Sequence, residues 1–243
     1  MRIVVLIKPG GELDEADARA VEAALHVARR RIDVNVSVLT AGPSTCVRAL
    51  RAALALGADD GLHVFDEELA THDVLALSRA YAAALRHTGF ELVLCAAASE
   101  APNLAAIPAM IAERLGLPLL ARADSLTVGG ADTDEIIALC DEANGWLIER
   151  ATEPPVVVSV GDHAPAPGYP PFPAVVEARR KLVSTLTLER LGLAPEGLRR
   201  RNAATAVSEA VPRARARMIL TAGDDPAAAA ARLADFLTER QFI

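Results

Sequence analysis

The chain has 243 residues, 52% of them hydrophobic, enough to bury one sizeable α/β core. Its formal net charge of −7 argues against nucleic acid as a main partner. Cys46, Cys95 and Cys140 stand far apart with no CxxC pair, so neither a zinc site nor a disulfide framework is indicated, and a reduced, cytoplasmic setting is the simplest expectation.

Arg2 to Ile7 reads as a first strand, and Lys8-Pro9-Gly10 stops it well short of a signal peptide. Asp14 to Arg31 follows as a helix: Leu13, Ala20, Val21, Ala24, Leu25 and Ala28 share a face, acidic residues lead, and Arg29-Arg30-Arg31 close it as the macrodipole prefers. Asn35 to Phe65 then holds a complete βαβ unit. Val36, Val38 and Leu39 make a buried strand that ends in the turn Ala41-Gly42-Pro43. Ser44 or Thr45 is placed to cap a helix on which Val47, Leu50, Leu54 and Ala58 recur, Gly57 stops it, and Leu62 to Phe65 is the next strand. A Gly-containing turn that opens a helix aims free amides above the sheet, a place that favours anions. With neither GxGxxG nor GxxxxGK[ST] present, a tight turn needed for packing is the better reading of this stretch by itself.

Thr71 to Thr88 is the next helix, with Val74, Leu75, Leu77, Ala80, Tyr81 and Leu85 inward, and Phe90 to Ala96 a strand. Leu104 to Leu115 is helical and ends at Gly116-Leu117-Pro118. The apolar run across it is broken by Pro108, Glu113, Arg114 and Pro118, so no membrane span is expected. Leu119 to Val128, Glu135 to Cys140, Gly145 to Arg150 and Val156 to Val160 read as strands, with hairpin-type turns at Gly129-Gly130 and Asn144-Gly145. Trp146 reads as a packing residue that covers a sheet. Ala164 to Val176 carries five prolines and is expected as a stiff, exposed loop. Glu196 to Arg217, with Arg199, Arg200, Arg201, Arg213, Arg215 and Arg217, is a basic run without aromatic interleaving, read as a solvated or partner-facing arm. Asp225-Pro226 opens a last helix whose apolar face is Ala230, Leu233, Phe236 and Leu237.

No serine nucleophile elbow, HxGH or HExxH is present, and His26, His63, His72, His87 and His163 lie in unrelated contexts. Nothing in these residues marks a self-contained enzyme.

Ala41-Gly42-Pro43 with Cys46, then Ala53-Leu54-Ala55-Leu56-Gly57-Ala58-Asp59 and His63-Val64, resembles the signature region of the electron transfer flavoprotein β subunits. Pro154 to Val160, Phe172-Pro173 and the basic Ala178-Arg179-Arg180-Lys181, which matches the start of a helix in that family, extend the resemblance. It implies an α/β fold, three-layer, on a mostly parallel Rossmann-like sheet of the adenine nucleotide alpha hydrolase type. It also implies an α/β domain over residues 1–190 and an extended C-terminal arm over 191–243 that docks on a partner subunit. The implied function is the β subunit of a heterodimer, supporting an FAD held mainly by the α subunit and docking a dehydrogenase electron donor.

The resemblance places Lys8, Ala41, Gly42 and Pro43 near the cofactor, and Phe172-Pro173 at the position where the family's docking loop anchors in its donor. Two departures stand out. The family's longer loop between first strand and first helix is reduced here to Gly10 to Asp14. The loop that in the family holds a structural AMP reads Ala97-Ala98-Ser99-Glu100-Ala101-Pro102-Asn103 to Pro108. Its carboxylate repels phosphate and its prolines offer no amide, so AMP binding is expected to be lost. The alternatives are a flavin-free nucleotide-binding or regulatory module of the same fold, and a purely structural partner subunit.

Overall fold

The computed structural model describes residues 1–67, 69, 73–97, 104–129, 135–142, 145–151, 153–194, 198 and 225–239. By its internal contacts the chain divides into Met1–Asn202 and Ala203–Ile243.

In the first unit, β1 (Arg2–Leu6), β2 (Asn35–Gly42), β3 (Asp60–Phe65), β4 (Leu92–Ala96), β5 (Leu119–Ala123), β9 (Val156–Val160) and β10 (Val183–Thr187) form a seven-stranded sheet in the order β10-β3-β2-β1-β4-β9-β5. All of its pairings are parallel. Parallel strands need both faces covered, and the residues alternate accordingly. Ile3, Val5, Val36, Val38, Leu92, Leu94, Val156 and Val158 face a layer made by α1 (Glu15–Ala28), α2 (Val47–Leu56) and α5 (Phe172–Ala178). Val4, Leu6, Leu39, Val93 and Val157 face α3 (Val74–Thr88) and α4 (Ile107–Leu115). The fold is the expected three-layer α/β sandwich on a parallel sheet.

The strand order places β1, β2 and β3 on one side and β4 on the other, so the chain changes direction between β1 and β4. In such sheets the crevice beyond the carboxyl ends of those two strands is the place where ligands bind.

Several local expectations are corrected. Ser44 and Thr45 do not cap a helix: with Cys46 they form one 3-10 turn entered from an extended Pro43, and neither that turn nor α2 has a side-chain cap. Leu75 is exposed, because Asp73 starts α3 by accepting from the Leu75 and Ala76 amides, and this puts Leu75 on the outer side of the first turn. Leu119 to Val128 is two strands. β5 closes the parallel sheet, whereas β6 (Ser125–Val128) pairs antiparallel with β7 (Ile136–Glu142), itself paired with β8 (Gly145–Ala151).

That small sheet buries Leu126, Ile136, Ala138 and Ala151 against the α1 side of the core. Trp146 is on β8 and is 63% exposed, so it does not pack as expected. The proline-rich loop gives way to helix at Phe172, with Pro173 in the first turn, where its missing amide costs nothing. Ala178 to Lys181 therefore ends a helix instead of starting one. β10 is an edge strand beside β3 that the sequence pattern did not indicate.

In the second unit α6 (Pro226–Glu239) starts as expected, with Asp225 Oδ1 accepting from the Ala228 amide 3.0 Å away, and none of its residues is buried. Among the described residues no helix is long and apolar enough to cross a membrane. The expectations for Thr71 and His72, Ser99 to Asn103, Gly130, Asn144 and Arg199 to Arg217 lie outside the described residues.

Candidate functional site

Parallel pairing brings the carboxyl ends of β1 and β2 side by side, and with them Lys8 and the turn Ala41-Gly42-Pro43. The Ile7 amide donates to Leu39 O at 2.8 Å, continuing the ladder to that edge. The Ile7 carbonyl accepts from Thr40 Oγ1 at 3.0 Å and from the buried Tyr81 hydroxyl at 2.8 Å, which pins β1 to β2 and to α3.

Gly42 has φ 135, a conformation closed to most side chains, which is why glycine stands there. Its carbonyl accepts from Nε2 of buried His63 at 2.9 Å, so this histidine fixes the turn. Ala41 and Gly42 are buried, and Pro43 is half-buried. The Ser44 amide, the first one above the turn, donates to Glu67 Oε1 at 3.3 Å. The place expected to attract an external anion thus faces a carboxylate of the chain itself.

The same holds at Lys8. Its backbone amide donates to Asp17 Oδ2 at 2.8 Å, and its ammonium is 2.5 Å from Asp14 Oδ2 and 3.7 Å from Asp17 Oδ1. Asp14 also caps α1, accepting from the Asp17 amide at 2.8 Å. Asp17 is 2% exposed, and its Oδ1 has no hydrogen-bond partner among the described residues.

Burial pushes its carboxyl up from 3.8 to about 7, the Lys8 ammonium opposing that rise and the Asp14 charge adding to it. Burial, with the Asp17 charge added, raises the Tyr81 hydroxyl and the Cys95 thiol. A cavity of about 20 Å³ adjoins the group, lined by Ile7, Lys8, Asp17, Tyr81, Cys95 and Pro108 among others. That is room for about one water molecule and far too little for a nucleotide.

Asp17 was not anticipated from the sequence. The signal existed: positions 17, 20, 21 and 24 fall on one helical stripe, and the other three are buried alanine or valine. A carboxylate on an apolar stripe is a group held for a reason.

Phe172 and Pro173 open α5, which packs on α2, the helix that leaves the Ala41–Pro43 turn. Arg51 of α2 donates to Ala178 O at 2.8 Å and Lys181 O at 2.7 Å, and Lys181 Nζ returns to Ala58 O at 2.7 Å. The two predicted sites are therefore fastened to one helix pair. Phe172 is 79% exposed, so it does not serve to pin its own segment. Tyr169 and Val176 are exposed beside it in sequence, and a groove of about 530 Å³ lies between α2 and α5, lined by Leu13, Arg48, Ala52, Tyr169, Val175 and Arg179 among others.

A family model described as an electron transfer flavoprotein domain matches residues 3–191, which runs from β1 through β10. The chain belongs to the electron transfer flavoprotein β-subunit family. It is 34% identical over 207 residues to an electron transfer flavoprotein subunit beta of Mycobacterium tuberculosis, covering 83% of this chain and 76% of that protein. The corresponding subunit of Megasphaera elsdenii is 28% identical over 177 residues, 70% of this chain and 64% of that protein. An acryloyl-CoA reductase electron transfer subunit gamma of Anaerotignum propionicum is 25% identical over 199 residues, 77% of this chain and 73% of that protein.

Membership makes the chain an electron-transfer subunit. A flavin dinucleotide carries a pyrophosphate, and the two amides best placed to receive one, at Lys8 and Ser44, are already engaged by Asp17 and Glu67. Among the described residues at this edge, these two amides do not fit a phosphate of the cofactor.

Proposed function

We propose that this chain is the β subunit of a two-subunit electron transfer flavoprotein, in which FAD is bound mainly by the α subunit and this chain buttresses it and docks a dehydrogenase donor. The family match across the whole parallel-sheet unit carries the reading. The engaged amides at Lys8 and Ser44 support the division of labour, because neither is free to hold a phosphate of the dinucleotide. Lys8, Ala41, Gly42 and Pro43 then act by the shape of the turn against the partner-bound cofactor. A flavin buried at a subunit interface is shielded from water and oxygen.

Phe172-Pro173 is the docking element: an exposed aromatic at the head of a short helix meets a partner with little side-chain entropy to lose. The chain is a carrier without its own bond chemistry. It binds no AMP, and residues 191–243 serve as an arm toward the α subunit. Co-expressed with an electron transfer flavoprotein α subunit, the full chain is expected to purify as a one-to-one complex that releases FAD and no AMP on acid extraction. A colourless chain that never pairs would shift the weight to a flavin-free module, and stoichiometric AMP would overturn its loss.

A further inference from the structure

We infer that a pocket on the outer side of α3 and α4 is a binding site for a small polyanion, held by Arg79, Arg86 and Arg114. It is a different place from the sheet edge that carries Lys8 and Gly42. Gly89 and Gly116 end α3 and α4 and lead toward β4 and β5, so the last turns of both helices, with Arg86 and Arg114, lie at the amino ends of the strands.

The pocket has a volume of about 460 Å³ and is walled by Ala82, Ala83, Leu193 and Leu198 among others, with the three arginines around them. Arg79, Ala82, Ala83 and Arg86 fall on one stripe of α3. Two small residues therefore leave a hollow between two guanidinium groups, whose Cα atoms are about 10 Å apart along the helix. The wall that carries Leu193 is fixed by its own turn: the Gly192 amide donates to Glu189 O and the Leu193 amide to Leu188 O, each at 2.9 Å, with Gly192 at φ 68.

Arg114 is held in place for a ligand. Its Nε donates at 2.9 Å to Oγ of the fully buried Ser78, which itself donates to Leu75 O at 3.1 Å. Among the described residues its two terminal nitrogens have no partner, which leaves the fork that suits an oxyanion. Arg86 donates from Nη2 to the Arg114 carbonyl, and among the described residues neither arginine pairs with a carboxylate. Burial, with the charges of Arg79 and Arg86, lowers the Arg114 pKa from its ordinary value.

Closing a helix end explains one nitrogen of Arg86. It does not explain three cations gathered around a hollow on a chain of net charge −7. Crowded like charges cost stability that a bound anion restores, and sites this far apart call for more than one negative group. The chemical class is a small molecule with two or more oxyanion groups, carboxylate or phosphate.

The test is calorimetric titration of the full chain at neutral pH and physiological salt, with citrate, pyrophosphate and acetate as separate probes. At least one of the two polyanions is expected to bind saturably, and at least about tenfold more tightly than acetate. Tighter binding of citrate marks a polycarboxylate site, tighter binding of pyrophosphate a polyphosphate site, and equal binding a site that reads charge alone; each supports the inference. Arg86→Gln, at an exposed position, should weaken binding by about tenfold or more. Ala83→Leu keeps all three charges, fills the hollow and should abolish binding, and it carries the test if Arg86→Gln does not fold. Arg48→Gln, exposed on α2 in the other helical layer, should change nothing. No saturable binding of either polyanion, acetate bound as tightly as both, or unchanged affinity in a folded Arg86→Gln or Ala83→Leu variant would overturn the site and leave the proposed function standing.

Discussion

Replacing Phe172 by alanine is expected to slow electron transfer from the dehydrogenase donor by about tenfold or more, with the flavin content of the complex unchanged. The magnitude is that of an exposed aromatic anchor becoming the centre of an interface, where truncation commonly costs about 2 kcal/mol or more. The side chain is 79% exposed and sits at the first position of α5, so its loss removes no core contact, and Pro171 and Pro173 still set the start of the helix. Stopped-flow reduction of the complex by donor and substrate reads the effect directly. Ile32→Ala is the control: it is also exposed, but it lies between α1 and β2, at the amino-terminal end of the strands, and should leave the rate unchanged. Equal rates for Phe172→Ala and wild type would remove the docking role.

The second large effect belongs to Asp17. Its carboxyl is raised by burial from 3.8 to about 7, so the folded chain holds a proton that the unfolded chain releases near pH 4. Stability from this group is therefore fully present below pH 4 and is lost as pH rises through 7, at about 1.4 kcal/mol per pH unit and about 4 kcal/mol in all. Of the charged groups facing it, Lys8 limits the effect and Asp14 adds to it. Asp17→Asn mimics the protonated acid and keeps an acceptor for the Lys8 amide. Urea unfolding between pH 5 and pH 8 should show wild type losing stability relative to the variant as pH rises, with the variant several kcal/mol the more stable at pH 8. Parallel curves would mean that Asp17 is ionised throughout and is fully compensated by Lys8.

The βαβ unit from Asn35 to Phe65 was legible because three independent signals agree there. A buried run of β-branched and apolar residues, a turn that needs glycine at Gly42, and a helix stopped by Gly57 at φ 138 all mark the same boundaries. Signals that conflict were misread. The five prolines of Ala164 to Val176 suggest an extended loop, yet proline is equally at home in the first turn of a helix, and α5 begins inside that run. β10 has only five residues at a sheet edge, two of them valine and leucine, and its place beside β3 is set by tertiary contacts that no local pattern carries.

Trp146 illustrates a different limit. Tryptophan after a turn suggests a covered sheet face, but coverage depends on what lies opposite, and β8 leaves Trp146, Leu147 and Ile148 open. At the candidate site the backbone frame of Lys8 and Gly42 could be read in advance. The carboxylates that engage its amides could not, because Asp17 and Glu67 reach them from α1 and from the segment after β3.

The most direct test of the account is the visible absorption of the complex between this chain and its α subunit, recorded before and after anaerobic addition of a dehydrogenase and its substrate. The account predicts an oxidised flavin spectrum at one FAD per pair that bleaches on addition. A stable pair without flavin, or a flavin that no donor reduces, would contradict it.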